Sequence, residues 1–119
     1  MPLAATGEAT VLTALLNARY ISVHTGTPTG GNEVAVGSYA RQLAGTWSQT
    51  GSDPTVASND ANIVFPTASA DWGTITHFGI WDAVSGGNLL GYEAVSVAKA
   101  ILTGDALRFL AGELDVSVT

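Results

Sequence analysis

Two histidines, His24 and His77, are the side chains of this sequence best suited to metal binding or proton transfer. Asp82 or Glu33 could complete a metal site with them, but no established ligand spacing connects these positions. Both histidines fall in stretches that read as β-strands, where a hydrogen-bonded structural imidazole is the simpler interpretation. We therefore predict that both are structural. A pH-sensitive subunit contact is the functional alternative, because imidazole changes charge near neutral pH.

The remaining polar side chains match no catalytic or cation-binding motif. Asp60 and Asn62 reproduce a fragment of a calcium loop without its central glycine or distal glutamate. The glycine-rich residues 25–31 lack the Gly-Lys-Ser/Thr sequence that reaches phosphates. No serine near a glycine has a histidine and an acid in a suitable order, and paired carboxylates for glycoside cleavage stay an alternative. The sequence therefore predicts no enzymatic activity, no cofactor and no metal.

Composition favours one folded domain over residues 1–119 with an acidic surface of low charge density. The chain is 46% hydrophobic and 12% charged, has a formal net charge of −6, and contains no cysteine. Average soluble domains carry about 25% charged residues, so much of this surface must be small and polar, which suits packing against other proteins. Scattered basic residues disfavour binding to nucleic acid or to anionic membranes: Arg19, Arg41, Lys99 and Arg108.

The first twenty residues do not resemble a signal peptide. No basic side chain precedes Arg19, and Glu8 interrupts the apolar run. No apolar stretch approaches the roughly 18 residues that a membrane-spanning helix needs. We expect synthesis in the cytoplasm, where the protein stays until it is assembled or released.

The hydrophobic pattern predicts one helix, over residues 6–19, ahead of a β-rich region at 20–119. Thr6 is placed to cap the helix, while Glu8 and Arg19 suit the positive and negative ends of its dipole. Three leucines share a stripe that would cover one side of a sheet: Leu12, Leu15 and Leu16. A helix that docks on an external partner is the alternative.

About seven or eight short strand-like runs follow, separated by turn signals, which is typical of an antiparallel β-sandwich or small barrel. The clearest pair, residues 73–81 and 88–92, flanks a turn in which Gly86 and Gly87 permit positive φ. Further strands are predicted at 20–24, 61–65 and 94–102. The predicted fold class is mainly β with one short N-terminal helix.

Two stretches of the β-rich region are less regular. Residues 48–59 are the most polar of the chain, and we predict a long surface loop there. Residues 106–119 read as one long strand whose apolar positions change from odd to even: Leu107, Phe109, Leu114 and Val116. One extra residue at 111–112 would bring all four side chains to one face, so we predict a β-bulge.

Three side chains are predicted to contact another protein. Most of the aromatic rings of the chain should fill the core, but Tyr39 and Trp72 are the better candidates for interface anchors. Arg41 lies close to Tyr39 in sequence and could act as a forked donor to a carboxylate or carbonyl of the partner.

An ordered series of short motifs extends over about residues 20–118: YISVHT, NEV, SYARQ, VFP, DWGTITHFGIWDA, SGGNLL, GD and AGEL. In order and spacing this series resembles small β-rich structural proteins of tailed bacteriophages, often labelled tail-fibre-like. Head decoration (cement) proteins are among the relatives that the resemblance suggests. The N-terminal residues 6–17 match least well.

The resemblance implies a virion component without catalytic residues. We predict a homotrimeric decoration protein that binds the major capsid protein, or another virion protein, on the outer head and stabilises the shell through many weak contacts. The alternative is a tail-fibre or tail-tip protein that recognises the host surface, and a glycan-binding module or small glycosidase is a third possibility. A single domain of this length has room for only one part of a long fibre.

Overall fold

The structure, a computed structural model, describes residues 4–51 and 54–118 and is mainly β, as the sequence predicts. One α-helix, α1 (Ala5–Leu15), precedes the strands, and a short 3-10 helix follows the first strand at Pro28–Gly30. The strands of the described chain are β1 (Tyr20–His24), β2 (Gln42–Leu43), β3 (Trp47–Thr50), β4 (Thr55–Asn59), β5 (Ile63–Val64), β6 (Gly73–Trp81), β7 (Leu89–Ile101), β8 (Arg108–Phe109) and β9 (Asp115–Val118).

The strands form three antiparallel sheets around a common core. The first sheet has the order β2-β1-β6-β7, the second β3-β4-β9, and the third pairs β5 with β8. Helix α1 packs against β4 and β9. The largest fully buried rings are those of Phe65, Phe78 and Phe109. Ala57 and Val116 of the second sheet belong to the same hydrophobic cluster, so one core joins all three sheets.

The helix covers the core as predicted, but its ends differ from the prediction. Leu12 is 0% and Leu16 5% exposed. Ala4, not Thr6, occupies the N-cap position and makes no side-chain cap, and the helix ends at Leu15. Arg19 lies beyond the helix, yet its Nε donates to the carbonyl of Leu15 at 2.8 Å and so satisfies a terminal acceptor. No helix among the described residues is long and apolar enough to span a membrane.

Residues 48–59 are not the predicted surface loop, because they carry β3 and β4. β4 is the central strand of its sheet, and its residues alternate between buried and half-buried positions. Polar side chains are accommodated there by hydrogen bonds. Thr55 donates its backbone N–H and its hydroxyl to the buried carboxylate of Glu8, at 2.9 and 2.8 Å. A polar composition was therefore a poor indicator of exposure in this segment.

Residues 106–119 do not form the predicted bulged strand. They form β8 and β9, which belong to different sheets, and a turn at residues 110–113 joins the two. Gly112 has φ of +82°, and its N–H donates to the carbonyl of Asn59 at 2.7 Å. The inward set is still the predicted one, with every member at most 4% exposed: Leu107, Phe109, Leu114 and Val116. A change of sheet reverses the alternation just as a bulge does, so the sequence pattern could not separate the two.

The predicted hairpin is confirmed, and its second strand is longer than expected. Asp82 accepts hydrogen bonds from the backbone N–H and the side-chain amide of Asn88, at 2.7 and 2.9 Å, which closes the turn. The predicted strands 88–92 and 94–102 merge into β7. Its pairing register with β6 shifts at an irregularity opposite Thr76, between the pairs Ile75–Lys99 and His77–Ala94.

Candidate functional site

The outer face of the four-stranded sheet carries a buried polar cluster centred on β1 and β6. Ser22 pairs with Gly79 across these strands, and His24 pairs with His77. A Cβ atom at position 79 would lie 2.5 Å from the Ser22 hydroxyl and 3.1 Å from Nε2 of His24. Gly79 therefore supplies the space in which the serine and the histidine meet.

Ser22 and His24 form a hydrogen-bonded pair, with 2.6 Å between Oγ and Nε2. The Ser22 oxygen also accepts a 2.7 Å hydrogen bond from Nε1 of Trp81. An indole N–H only donates, so the Ser22 oxygen is the acceptor toward Trp81, while its role toward Nε2 depends on the tautomer of His24. Burial lowers the pKa of His24, and the charge of Glu33 opposes this only in part.

A serine–histidine pair is the arrangement used for nucleophilic catalysis, but here it is closed to substrate. Ser22 is 0% and His24 1% exposed. His77 is half-buried, and its Nδ1 lies 2.8 Å from the hydroxyl of Thr76. Each histidine has a hydroxyl partner, as the predicted structural role requires, and that role stays a prediction. Within residues 4–51 and 54–118, no three His, Cys, Asp or Glu side chains gather into a metal-binding group.

Arg41 clamps the segment before β2 to the turn of the β6–β7 hairpin. Its Nε and Nη2 donate to the two carboxylate oxygens of Glu33, each at 2.9 Å. Its Nη1 donates to the carbonyls of Ala83 and Gly86, at 3.0 and 2.8 Å. The guanidinium carbon lies 3.7 Å from the centre of the Trp81 ring. The forked donor geometry predicted for Arg41 is thus present within the chain.

Tyr39 connects this clamp to the hydrophobic core. Its hydroxyl donates to Glu33 at 2.5 Å and accepts the backbone N–H of Val23 at 3.3 Å. Its ring lies edge-on to Trp72 at 5.5 Å and is stacked with Phe65 at 6.1 Å. Burial raises the pKa of Tyr39, and the carboxylate of Glu33 adds to the effect. Burial alone would raise the pKa of Glu33, but hydrogen bonds from Arg41 and Tyr39 outweigh it and lower that pKa.

The structure therefore brings together the three residues predicted to contact a partner. Tyr39 touches Trp72 directly and reaches Arg41 through Glu33. Trp72 is only 4% exposed, whereas Tyr39 and Arg41 are half-buried beside a shallow cavity of about 370 Å³. All three have internal packing partners, and their contact with another protein stays a prediction.

Two exposed apolar surfaces were not found from the sequence. The first is an open groove of about 880 Å³ between α1 and the segment from β2 to β3, where Leu43 is 58% exposed. The second lies on β5 and β8, where Val64 and Leu110 are 54% and 49% exposed next to Arg108. These surfaces lie on short strands that the sequence did not reveal. Only the alternation of inward and outward residues along those strands could have indicated the exposed apolar side chains.

Together, the antiparallel fold and its closed polar cluster define a small, mainly β structural domain. The chain belongs to the family described as podophage GP4 fiber I protein gp80, which matches residues 4–117. It is therefore a small structural protein of the phage virion, of the tail-fibre-like type that the sequence motifs predict. No curated protein matches the chain.

Proposed function

We propose that this protein is a non-enzymatic component of a phage fibre and acts by binding other virion proteins. The observation that carries the proposal is the family match, because the matched family is named for a fibre protein and extends over residues 4–117. Within the virion, the fibre is favoured over the head for this reason. Recognition of the host surface is the role that such a position would serve.

The geometry of the polar cluster supports a structural role. Ser22 and His24 are the pair with the chemistry of a nucleophile and its base, and both are buried. The neighbouring segment, whose Glu33 forms a β-bridge with His24, is held by a bidentate ion pair and by two backbone carbonyls. A buried network of this kind stabilises one conformation of the surface above it.

Decoration of the outer head is the second candidate, and the shape of the domain favours it. The described residues measure 44 × 25 × 21 Å, which suits a compact unit repeated over a lattice. Exposed apolar side chains such as Leu43 and Val64 would give each copy a weak contact with the shell. Many such contacts add up through multivalent binding.

In either position we propose a homotrimer, made in the host cytoplasm and carried in the virion. In an oligomer with closed rotational symmetry, the binding surfaces of every copy are occupied, so none is left exposed to cause aggregation. Tyr39, Arg41 and Trp72 belong to this proposal as the residues that fix the segment around position 40 against the hairpin turn. They would keep the rim of the adjacent cavity, including Val84, in one shape for a partner.

Immunogold electron microscopy of intact virions tests the location. Antibodies raised against the purified protein should label the fibres and leave the head unlabelled. Regular labelling of the outer head would instead favour decoration. Absence of label from purified virions, with strong label in infected-cell lysate, would contradict a virion role. Binding of the purified protein to host cells and to isolated capsids would separate host recognition from shell binding.

A further inference from the structure

We propose that copies of this chain associate head to tail through a flank formed by β5, β8 and the turn at 110–113, whose Arg108 meets Glu93 on β7 and Asp115 on β9 of the next copy. The inference deepens the proposed homo-oligomer and rests on it. It names the surface and the residues that set its specificity.

The first observation is the outward face of the β5–β8 pair. Ile63 pairs with Phe109 across the two strands, and both point into the core, at 3% and 0% exposure. Val64 pairs with Arg108, and both are exposed. Leu110, two residues after Arg108, is also exposed, so two apolar side chains flank one cation.

The second observation concerns the hydrogen-bond and ion-pair partners of Arg108. Among the described residues it has none, unlike every other basic side chain. Arg41 is paired with Glu33, Lys99 with Glu113 at 2.8 Å, and Arg19 with carbonyls of the helix. Arg108 is therefore the guanidinium left available for an outside carboxylate, next to apolar side chains that would shield the pair from water.

The third observation is a pair of carboxylates outside this flank, on β7 and β9. β7 packs against β9, and Asp115 at the start of β9 lies close enough to Glu93 on β7 to raise its pKa, after burial as the larger cause. The hydroxyl of Ser58 donates to Asp115. Neither carboxylate has a basic partner within the described chain, because Lys99 on β7 is already bonded to Glu113.

These charges are complementary between copies. A protein with net charge −6 repels its own copies in general, so a stable contact must place its available cation against uncompensated carboxylates. The patch around Arg108 and the pair Glu93–Asp115 supply the two halves of such a contact. Glu113 lies beside the same cavity as Arg108 but is already paired with Lys99.

The turn at residues 110–113 is rigid before any partner binds. The side chain of Asn59, 4% exposed, donates to the carbonyl of Leu110 at 3.0 Å and accepts the N–H of Leu114 at 2.9 Å. Glu113 accepts the N–H of Leu110 at 3.0 Å and returns its own N–H to the Leu110 carbonyl at 2.9 Å. The backbone at Leu110 is thus held in place, which lowers the entropy cost of docking.

Light scattering coupled to size-exclusion chromatography, on the full chain over a range of concentrations, tests the proposal. The wild-type protein should associate, and R108E should weaken association by about tenfold or more, because like charges would then face each other. R108K keeps the charge and should associate nearly as well. The charge-swapped double variant R108E/D115R should recover most of the lost affinity. L110S should weaken association without altering its salt dependence.

Circular dichroism melts of each variant confirm that the fold is kept, since both charged positions lie on the surface. A wild-type chain that stays monomeric would overturn the inference. So would an R108E variant that associates like wild type, or a double variant that fails to recover. Location in the virion is a separate measurement. If copies associate through this flank and antibodies label the head, the fibre proposal is contradicted but the association proposal is not.

Discussion

Arg41 and Glu33 share two parallel hydrogen bonds of 2.9 Å, and the side chain of the arginine is only 8% exposed. The pair joins a segment without regular secondary structure to a hairpin turn more than 40 residues further along the chain. Trp81 covers one face of the guanidinium, and the Tyr39 hydroxyl supplies a third donor to Glu33. These contacts hold the region around position 40 against the β6–β7 hairpin.

Replacing Arg41 should therefore destabilise the whole domain. We expect R41A to lower the free energy of unfolding by about 3 kcal/mol, because it leaves a half-buried carboxylate without its cation. R41K should lose roughly 1–2 kcal/mol, since an ammonium cannot make the bidentate contact. Urea denaturation of both variants measures these values. A loss below about 0.5 kcal/mol in R41A, as for a solvated surface pair, would contradict this assignment.

Gly79 should tolerate no side chain. In G79A the new methyl group would meet the Ser22 hydroxyl at 2.5 Å and a methyl of Leu89 at 3.0 Å. We expect a loss of about 2–3 kcal/mol and altered Trp81 fluorescence, because the Ser22–His24 pair must move. G91A on the neighbouring strand is the matched control, since its Cβ would find its nearest neighbour at 4.0 Å. Equal stability of the two variants would show that the cluster is not close-packed.

Stability should fall in two separate steps as the pH is lowered. The pKa of His24 is lowered in the folded chain relative to its ordinary 6.5, so the unfolded chain takes up a proton first as the pH falls through that value. Glu33 has a lowered pKa relative to its ordinary 4.5, so its contribution is present above pH 4.5 and is lost below it. Just above neutral pH, neither group should make the free energy of unfolding depend on pH.

Urea denaturation at a series of pH values between 4 and 8 resolves these steps. H24Q should remove the slope near pH 6, and E33Q should remove the slope below pH 4.5. A slope near pH 6 that persists unchanged in H24Q would contradict the assignment to His24.

Asn59 should control the turn at residues 110–113. N59A would leave the Leu110 carbonyl and the Leu114 N–H without their side-chain partners at a buried position. We expect a cost of about 2–4 kcal/mol and faster amide exchange at Leu114. N59D keeps one oxygen for the Leu114 N–H and should cost less than N59A. The reverse order would mean that the donor bonds of Asn59 matter more than its acceptor bond.

Local patterns in the sequence were sufficient for α1, β1 and the β6–β7 hairpin, because each has a periodic apolar set and the hairpin also has a clear turn. They failed for β4, whose burial depends on pairing with β3 and β9 and on a hydrogen bond from Thr55 to Glu8. They also failed where β8 passes to β9, because a change of sheet and a bulge give the same alternation.

The polar cluster was partly accessible from sequence. Ser22 and His24 are two residues apart and so point to the same face of a strand, which was a usable signal. Their partner Trp81 and the contacts of Arg41 with Ala83 and Gly86 depend on long-range register, which no local pattern carries. Tyr39 and Arg41 were chosen for their chemistry, and the structure shows that this chemistry is used first within the chain.

A cryo-electron microscopy reconstruction of the native virion tests the central claim most directly. The account predicts density for this domain on the fibres, in symmetric groups whose copies meet near Arg108, Glu93 and Asp115. Density for the domain spread regularly over the outer head would contradict the fibre assignment. Density for single, separated copies would contradict the association of this chain with itself.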